Sequence, residues 1–220
     1  MDSAKLINAL AEDVQPVRRL RPPFVRVITW LLLSSLWVAF IVVVMGVRTD
    51  LDTRLVDTRW LIEQGATLLT GLMAAVAAFC AVVPGRPRWE HALPLLPASL
   101  WLGALALGCY QAWVATGDLM AQFAPDWQCF PGIVITGLGP GILMVLMLRR
   151  GAPISPRISI ALGALAASAI ADFGLRLFHP QDVSVMVLVW QVGTVFLLSA
   201  IAGMSGRTIL RWKLRSPLEA

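Results

Sequence analysis

The chemically capable residues of this chain are few. It has three cysteines, Cys80, Cys109 and Cys129, and two histidines, His91 and His179. Cys129 sits in DWQCFPG, Asp126 to Gly132, between a tryptophan and a proline and just ahead of a long apolar run. A thiol in that place can serve as packing, as a ligand or as a redox switch. With an imidazole or carboxylate it can hold a soft metal, which makes His179, Asp126 and Asp182 its candidate companions. Cys109 is the nearest thiol by depth. Zinc asks for three or four ligands, and no local cluster supplies them, so the sequence names no metal set. GxSxG, HExxH, CxxC and P-loop patterns are absent. No enzyme is expected, and no cofactor. Charge inside an apolar segment marks function by default. Asp172, with Arg176 four residues on, is the clearest instance; that spacing puts both on one helix face, where they are expected to pair. Glu63, at the start of an apolar run, is expected at the membrane interface.

These residues must be held by a membrane bundle. Of 220 residues, 58% are hydrophobic and 14% charged, with a mean hydropathy of +0.75; soluble domains run nearer 45–50% apolar and about 25% charged. A helical span needs roughly 20 apolar residues, and six runs qualify: 27–47, 61–83, 93–114, 130–148, 158–178 and 183–204. The expected fold is therefore all-α, a polytopic membrane protein of six transmembrane helices. Residues 1–26 form a cytoplasmic N-terminal segment, 27–204 the membrane domain and 205–220 a short basic tail. The first run is too long for a signal-peptide core and lacks a small-residue cleavage pattern, so it reads as the first span.

Lysine and arginine orient the bundle, because they favour the cytoplasmic side. Lys5, Arg18, Arg19, Arg21 and Arg26 precede the first run. Arg86 and Arg88 lie in the second loop, and Arg149, Arg150 and Arg157 in the fourth. Arg207, Arg211, Lys213 and Arg215 lie in the tail. Against these fourteen stand Arg48, Arg54, Arg59 and Arg176 on the other side. Both termini are accordingly expected in the cytoplasm, with Cys129 on the outer face. The net charge of +5 reads as this topological signal and as contact with membrane lipid, not as direct nucleic-acid binding. Trp30, Trp60, Trp89, Trp113, Trp127 and Trp212 fall near span ends, where interfacial anchors belong; Trp37, Trp101 and Trp190 lie deeper. Gly163, Ala167 and Ala171 form a small-residue stripe that permits close helix approach. Pro140, between Gly139 and Gly141, is expected to kink the fourth span.

The N-terminal stretch DSAKLINALAEDV predicts a short helix. Leu6, Ile7, Leu10 and Val14 recur at helical spacing and form one apolar stripe. A helix this short is marginal alone in water, so the stripe wants a surface: its own bundle, the bilayer, or the groove of a soluble partner. Pro16 stops it, and a basic connector with Pro22 and Pro23 leads into the membrane.

The whole chain resembles the NrsF family of six-span bacterial anti-sigma factors. The resemblance is carried by LINALAEDVQPVRRLRPP, by the six-span layout, by DWQC before the fourth span, by RRGAP at Arg149–Pro153, and by His179 followed by Trp190. It implies a membrane protein that sequesters an extracytoplasmic-function sigma factor through its cytoplasmic N-terminal helix. Release would follow envelope, heavy-metal or oxidative stress, with a metal ion or oxidant as signal. On that reading Leu6, Ile7, Leu10 and Val14 supply the contact stripe, and Arg18, Arg19 and Arg21 steer an acidic surface or anchor to anionic lipid. Sensing falls to Cys129, with Cys109 and His179. The family's second outer cysteine would follow the histidine, where this chain has Pro180. The alternatives are a small inner-membrane transporter or permease, for which the sequence offers few polar residues along a central path, and a membrane enzyme using Asp172 or His179.

Overall fold

Inside a bilayer every backbone N–H and C=O must find its partner within the protein, which drives segments of this composition into helix. The computed structural model describes residues 3–12, 20–118, 129–152, 154–180 and 183–210, and among them no residue is in a strand. A short helix α1 (Ser3–Glu12) precedes α2 (Pro23–Met45). One turn, α3 (Leu51–Arg54), leads into α4 (Thr58–Ala81). A 3-10 turn (Arg88–Ala92) opens onto α5 (Leu95–Thr116), then come α6 (Cys129–Leu148) and α7 (Pro156–Leu175). The last span begins as α8 (Ser184–Met186), widens into a π-helical stretch (Val187–Val192) and continues as α9 (Gly193–Met204), with α10 (Gly206–Ile209) beyond it. Six of the described helical segments are long and apolar enough to cross a membrane, in register with the six apolar runs. The chain is an all-α, polytopic six-span protein.

Local chemistry sets the ends. Asp57 caps α4 by accepting from the backbone N–H of Arg59 and Trp60 at 3.0 and 3.3 Å, satisfying donors that have no partner within the helix. Gly117 ends α5 in the left-handed conformation, with φ at 70°, where a side chain would be strained.

Helix α7 is the centre of the bundle and packs most extensively on α4, α6 and α9. Small residues make the α6–α7 seam. A Cβ on Gly137 would meet that of Ala171 at 3.2 Å, and Gly163 lies against Met144 and Leu148. The small-residue stripe of the fifth span therefore does what its spacing predicts. On the other flank of α6, Gly139 faces the Trp37 ring of α2, and Trp30 Nε1 donates to the Pro140 carbonyl at 3.0 Å. Helix α6 runs unbroken through Pro140, with Gly139 and the Pro140 carbonyl packed against α2.

Two tryptophans depart from their expected place. Trp30 and Trp60 are buried inside the bundle, whereas Trp89 and Trp113 are exposed as interfacial anchors should be. Depth along a span is readable from sequence, but the face of the helix that meets a neighbour is decided by packing. Trp127 and Trp212 lie outside the described residues.

Cross-connections sort the loops by end. Ala152 N–H donates to the Val82 carbonyl at 3.0 Å, joining the second and fourth loops. Beside them Arg26 Nη2 donates to the Met147 carbonyl at 2.6 Å, with its guanidinium 4.5 Å from the Phe79 ring centre. Arg48 N–H donates to the Leu177 carbonyl at 3.1 Å, joining the first and fifth loops at the opposite, distal end.

Candidate functional site

The distal end collects most of the chain's chemically capable side chains. Cys129, the first residue of α6, is fully buried among Ile133, Ala171, Leu175 and Met186. Its Sγ lies 3.4 Å from His179 Nε2, across fifty positions of sequence. The structure thus brings together two of the residues expected to sense. A thiol and an imidazole at this distance can share a hydrogen bond, or offer two ligands to a soft metal. Among the described residues no group of three or more His, Cys, Asp or Glu is placed to hold a metal ion. Asp126 and Asp182, the expected carboxylate companions, lie outside the described residues.

His179 is held in place by the first loop. Arg48, with its side chain fully buried, forms a bidentate pair with Asp50 at 2.6 and 2.8 Å. The same guanidinium donates to the carbonyls of Arg176, His179 and Pro180, each at 3.3 Å. A cation over the last carbonyls of a helix satisfies acceptors that the helix leaves open and complements its dipole. Arg48 therefore closes the C-terminus of α7 and clamps the segment carrying His179 over Cys129. Its hydrogen bonds hold the Asp50 carboxyl well below the usual carboxylate range. Pro180 contributes its carbonyl to this clamp.

A second cluster lies beside the first. Glu63 is buried, and both its oxygens are engaged: Oε1 accepts from Arg59 Nε at 3.0 Å and Oε2 from Arg176 Nη2 at 2.8 Å. Arg59 also reaches Ser184 at the start of the last span, a path open only because residue 108 is glycine; a Cβ there would overlap the Arg59 guanidinium. Arg176 lies 5.8 Å from the Trp60 ring centre. These groups, with Arg54, Asp57 and Gln111, line a polar cavity of about 390 Å³.

This arrangement corrects two expectations. Glu63 is not interfacial; it is the buried bridge between α4 and α7. Arg176 makes its ion pair across the helix interface with Glu63, while both Asp172 oxygens are buried with no hydrogen-bond partner among the described residues. Helical spacing puts Asp172 and Arg176 on one face, but the long arginine side chain reaches the neighbouring helix instead. The cue available in sequence was the charged pair Arg59 and Glu63 at four-residue spacing.

Cys109 is half-buried on α5, within electrostatic reach of Arg59 and Glu63. Its thiol is free, as is that of Cys80. Cys80 is buried at the other end of the bundle, where it accepts from Arg86 Nη2 at 3.3 Å. At the N-terminus the expected helix forms. Every described side chain of α1 is exposed, Ile7 by 64%, and Arg21 is exposed beyond it. Val14, Arg18 and Arg19 lie outside the described residues, as do the side chains of Leu6 and Leu10.

A family model described as NrsF, negative regulator of sigma F, matches residues 10–212. No curated protein and no solved structure matches the chain.

Proposed function

The chain belongs to the NrsF family, negative regulators of sigma F, and from that premise we propose that it sequesters an extracytoplasmic-function sigma factor through its N-terminal helix. A negative regulator of a sigma factor has a soluble protein partner, and the sequence offers it one amphipathic segment. The observation that carries the reading is the exposed α1, with Ile7 turned away from the bundle. An amphipathic helix with an apolar side chain such as Ile7 exposed suits a groove on a partner, read at i, i+3, i+4 and i+7. In this proposal residues 1–26 are the sigma-binding segment, 27–204 the membrane domain and 205–220 a basic tail. Leu6, Ile7, Leu10 and Val14 are the anchors, and Arg18, Arg19 and Arg21 raise the rate of encounter with an acidic surface.

In the same proposal both termini are cytoplasmic at the bacterial inner membrane, and the distal end faces outward. Envelope, heavy-metal or oxidative stress acts there on Cys129 and His179, with Cys109 nearby. A signal shifts the bundle only if it binds its two states differently. The Arg48 clamp supplies such a difference, because a buried Cys129 is reachable only when the His179 segment moves.

The test is co-purification of the detergent-solubilised full chain from its host. A sigma factor should accompany the wild type and be lost with Leu10→Asp, while stress-gene transcription rises in that variant. Absence of any sigma factor, together with unchanged transcription in Leu10→Asp, sinks the reading. Cys129→Ser separates the sensing part: an unaltered response in that variant returns Cys129 to packing.

A further inference from the structure

The face of the bundle opposite α4 carries a groove between α6, α7 and α9, with a cavity of about 550 Å³. Small residues line its floor, Gly137, Gly141, Gly163, Ala164 and Ala167, with Gly137 and Gly163 taken up by the contact between α6 and α7. A Cβ built on Gly141 would meet nothing closer than the Ala167 Cβ at 3.9 Å. The lining runs along α6 from Ile133 to Leu148, about 23 Å at 1.5 Å per residue. That exceeds one leaflet of a hydrocarbon core about 30 Å thick.

The mouth of the groove is basic. Arg149 lines it and donates from Nε to the Ile209 carbonyl at 3.0 Å, which ties α6 to α10. Arg207 follows Gly206, whose backbone lies against Pro156 and Arg157. Arg149, Arg150, Arg157 and Arg207 are all exposed. The sequence has no carboxylate between Asp126 and Asp172, nor between Asp182 and Glu219, so no acidic side chain of these helices competes for the cluster. A second copy seated on this face about a two-fold axis along the membrane normal would bring two such clusters together at the same depth, with like charges opposed. An anion with an apolar chain is complementary to both parts of the site.

We propose that this groove holds an acyl chain of an anionic phospholipid, with Arg149 and its neighbouring arginines on the headgroup phosphate. Juxtamembrane arginines are drawn to an anionic lipid surface, and the groove adds the apolar contact that makes the site selective for one bound lipid.

The experiment is native mass spectrometry of the full-length protein in detergent, titrated with phosphatidylglycerol and, in parallel, phosphatidylcholine. One phosphatidylglycerol should be retained with at least tenfold preference. Gly141→Leu, at a position where a Cβ has 3.9 Å to its nearest neighbour, should lower its occupancy at least tenfold while leaving circular dichroism and elution volume unchanged. If that variant fails to fold, Ala164→Leu on the same floor gives the same readout. Arg149→Gln combined with Arg150→Gln should erase the preference for phosphatidylglycerol while lipid uptake persists. Equal retention of the two lipids overturns the proposal. So does undiminished phosphatidylglycerol binding in the groove-filled variant, thermal stabilisation by inorganic phosphate that matches the lipid's, or a dimer that Gly141→Leu dissociates.

Discussion

Glu63→Gln tests the buried cluster directly. The glutamate accepts from two arginines, and the Glu63 and Arg176 side chains are only 4% and 1% exposed. An amide of the same shape keeps one acceptor and turns an NH₂ donor toward a guanidinium. One charge-assisted hydrogen bond is lost, worth about 1.5–3 kcal/mol. Arg176 also loses the Glu63 counter-charge, and breaking a buried pair from one side costs about 3–5 kcal/mol in all. At about 1.4 kcal/mol per factor of ten, the unfolded-to-folded ratio should rise by roughly two to three powers of ten. Arg59→Gln is the internal comparison. That side chain is 38% exposed, so its loss should cost no more than about 1 kcal/mol. The assay is reversible unfolding in mixed dodecylmaltoside and dodecyl sulfate micelles, followed by tryptophan fluorescence. A double-mutant cycle with Arg176→Gln should return a coupling of about 1–3 kcal/mol. If Glu63→Gln lies within about 0.5 kcal/mol of wild type, or the two substitutions are simply additive, the reasoning that places this ion pair in the bundle interior is wrong.

Three further outcomes follow from the same geometry. Arg48→Ala removes the clamp on the His179 segment, so alkylation of Cys129 by a small maleimide should quicken about tenfold or more, as expected for easier local opening; an unchanged rate would separate the clamp from the thiol. The Asp50 carboxyl is depressed in the folded state by its bonds to Arg48, so its stabilisation is present above the unfolded value of about 3.9 and is lost as pH falls through the folded value. Hydrogen exchange at the Leu177 and His179 amides should thus stay protected from neutral pH down to about 4 and weaken only below it, while Asp50→Asn weakens it throughout. Gly139→Ala puts a methyl 2.5 Å from the Trp37 ring and should cost about 1–3 kcal/mol as overpacking. Gly141→Ala, with 3.9 Å to its nearest neighbour, should be tolerated; equal thermal shifts for the two would contradict the α2–α6 packing.

Much of the fold is legible because the bilayer is an unforgiving solvent. A hydrocarbon core about 30 Å thick demands roughly 20 apolar residues per crossing, so each of the six helices is written locally and its ends fall within a few residues of its apolar run. The small stripe Gly163, Ala167 and Ala171 is equally local, since van der Waals approach needs only the absence of side chains. The candidate site was legible mainly as an inventory. Cys129, His179, Glu63 and Arg176 can each be named as unusual in an apolar chain, and His179 as one of several candidate companions of Cys129, but the pairing of Arg176 with Glu63 cannot. Helical periodicity sends Arg176 to Asp172, four residues back on the same face; packing sends it to Glu63 on α4.

The sequence by itself thus determined the class, the six crossings, the N-terminal helix and the family. Each depends on composition or on neighbours along the chain. Only the tertiary structure decided that Trp30 and Trp60 turn inward, that Arg48 closes the end of α7 over His179, and that His179 meets Cys129. Those are choices of azimuth and of long side-chain reach. They are set by which helices pack together, since an arginine buried between helices goes to whichever carboxylate or carbonyl the packing brings within reach.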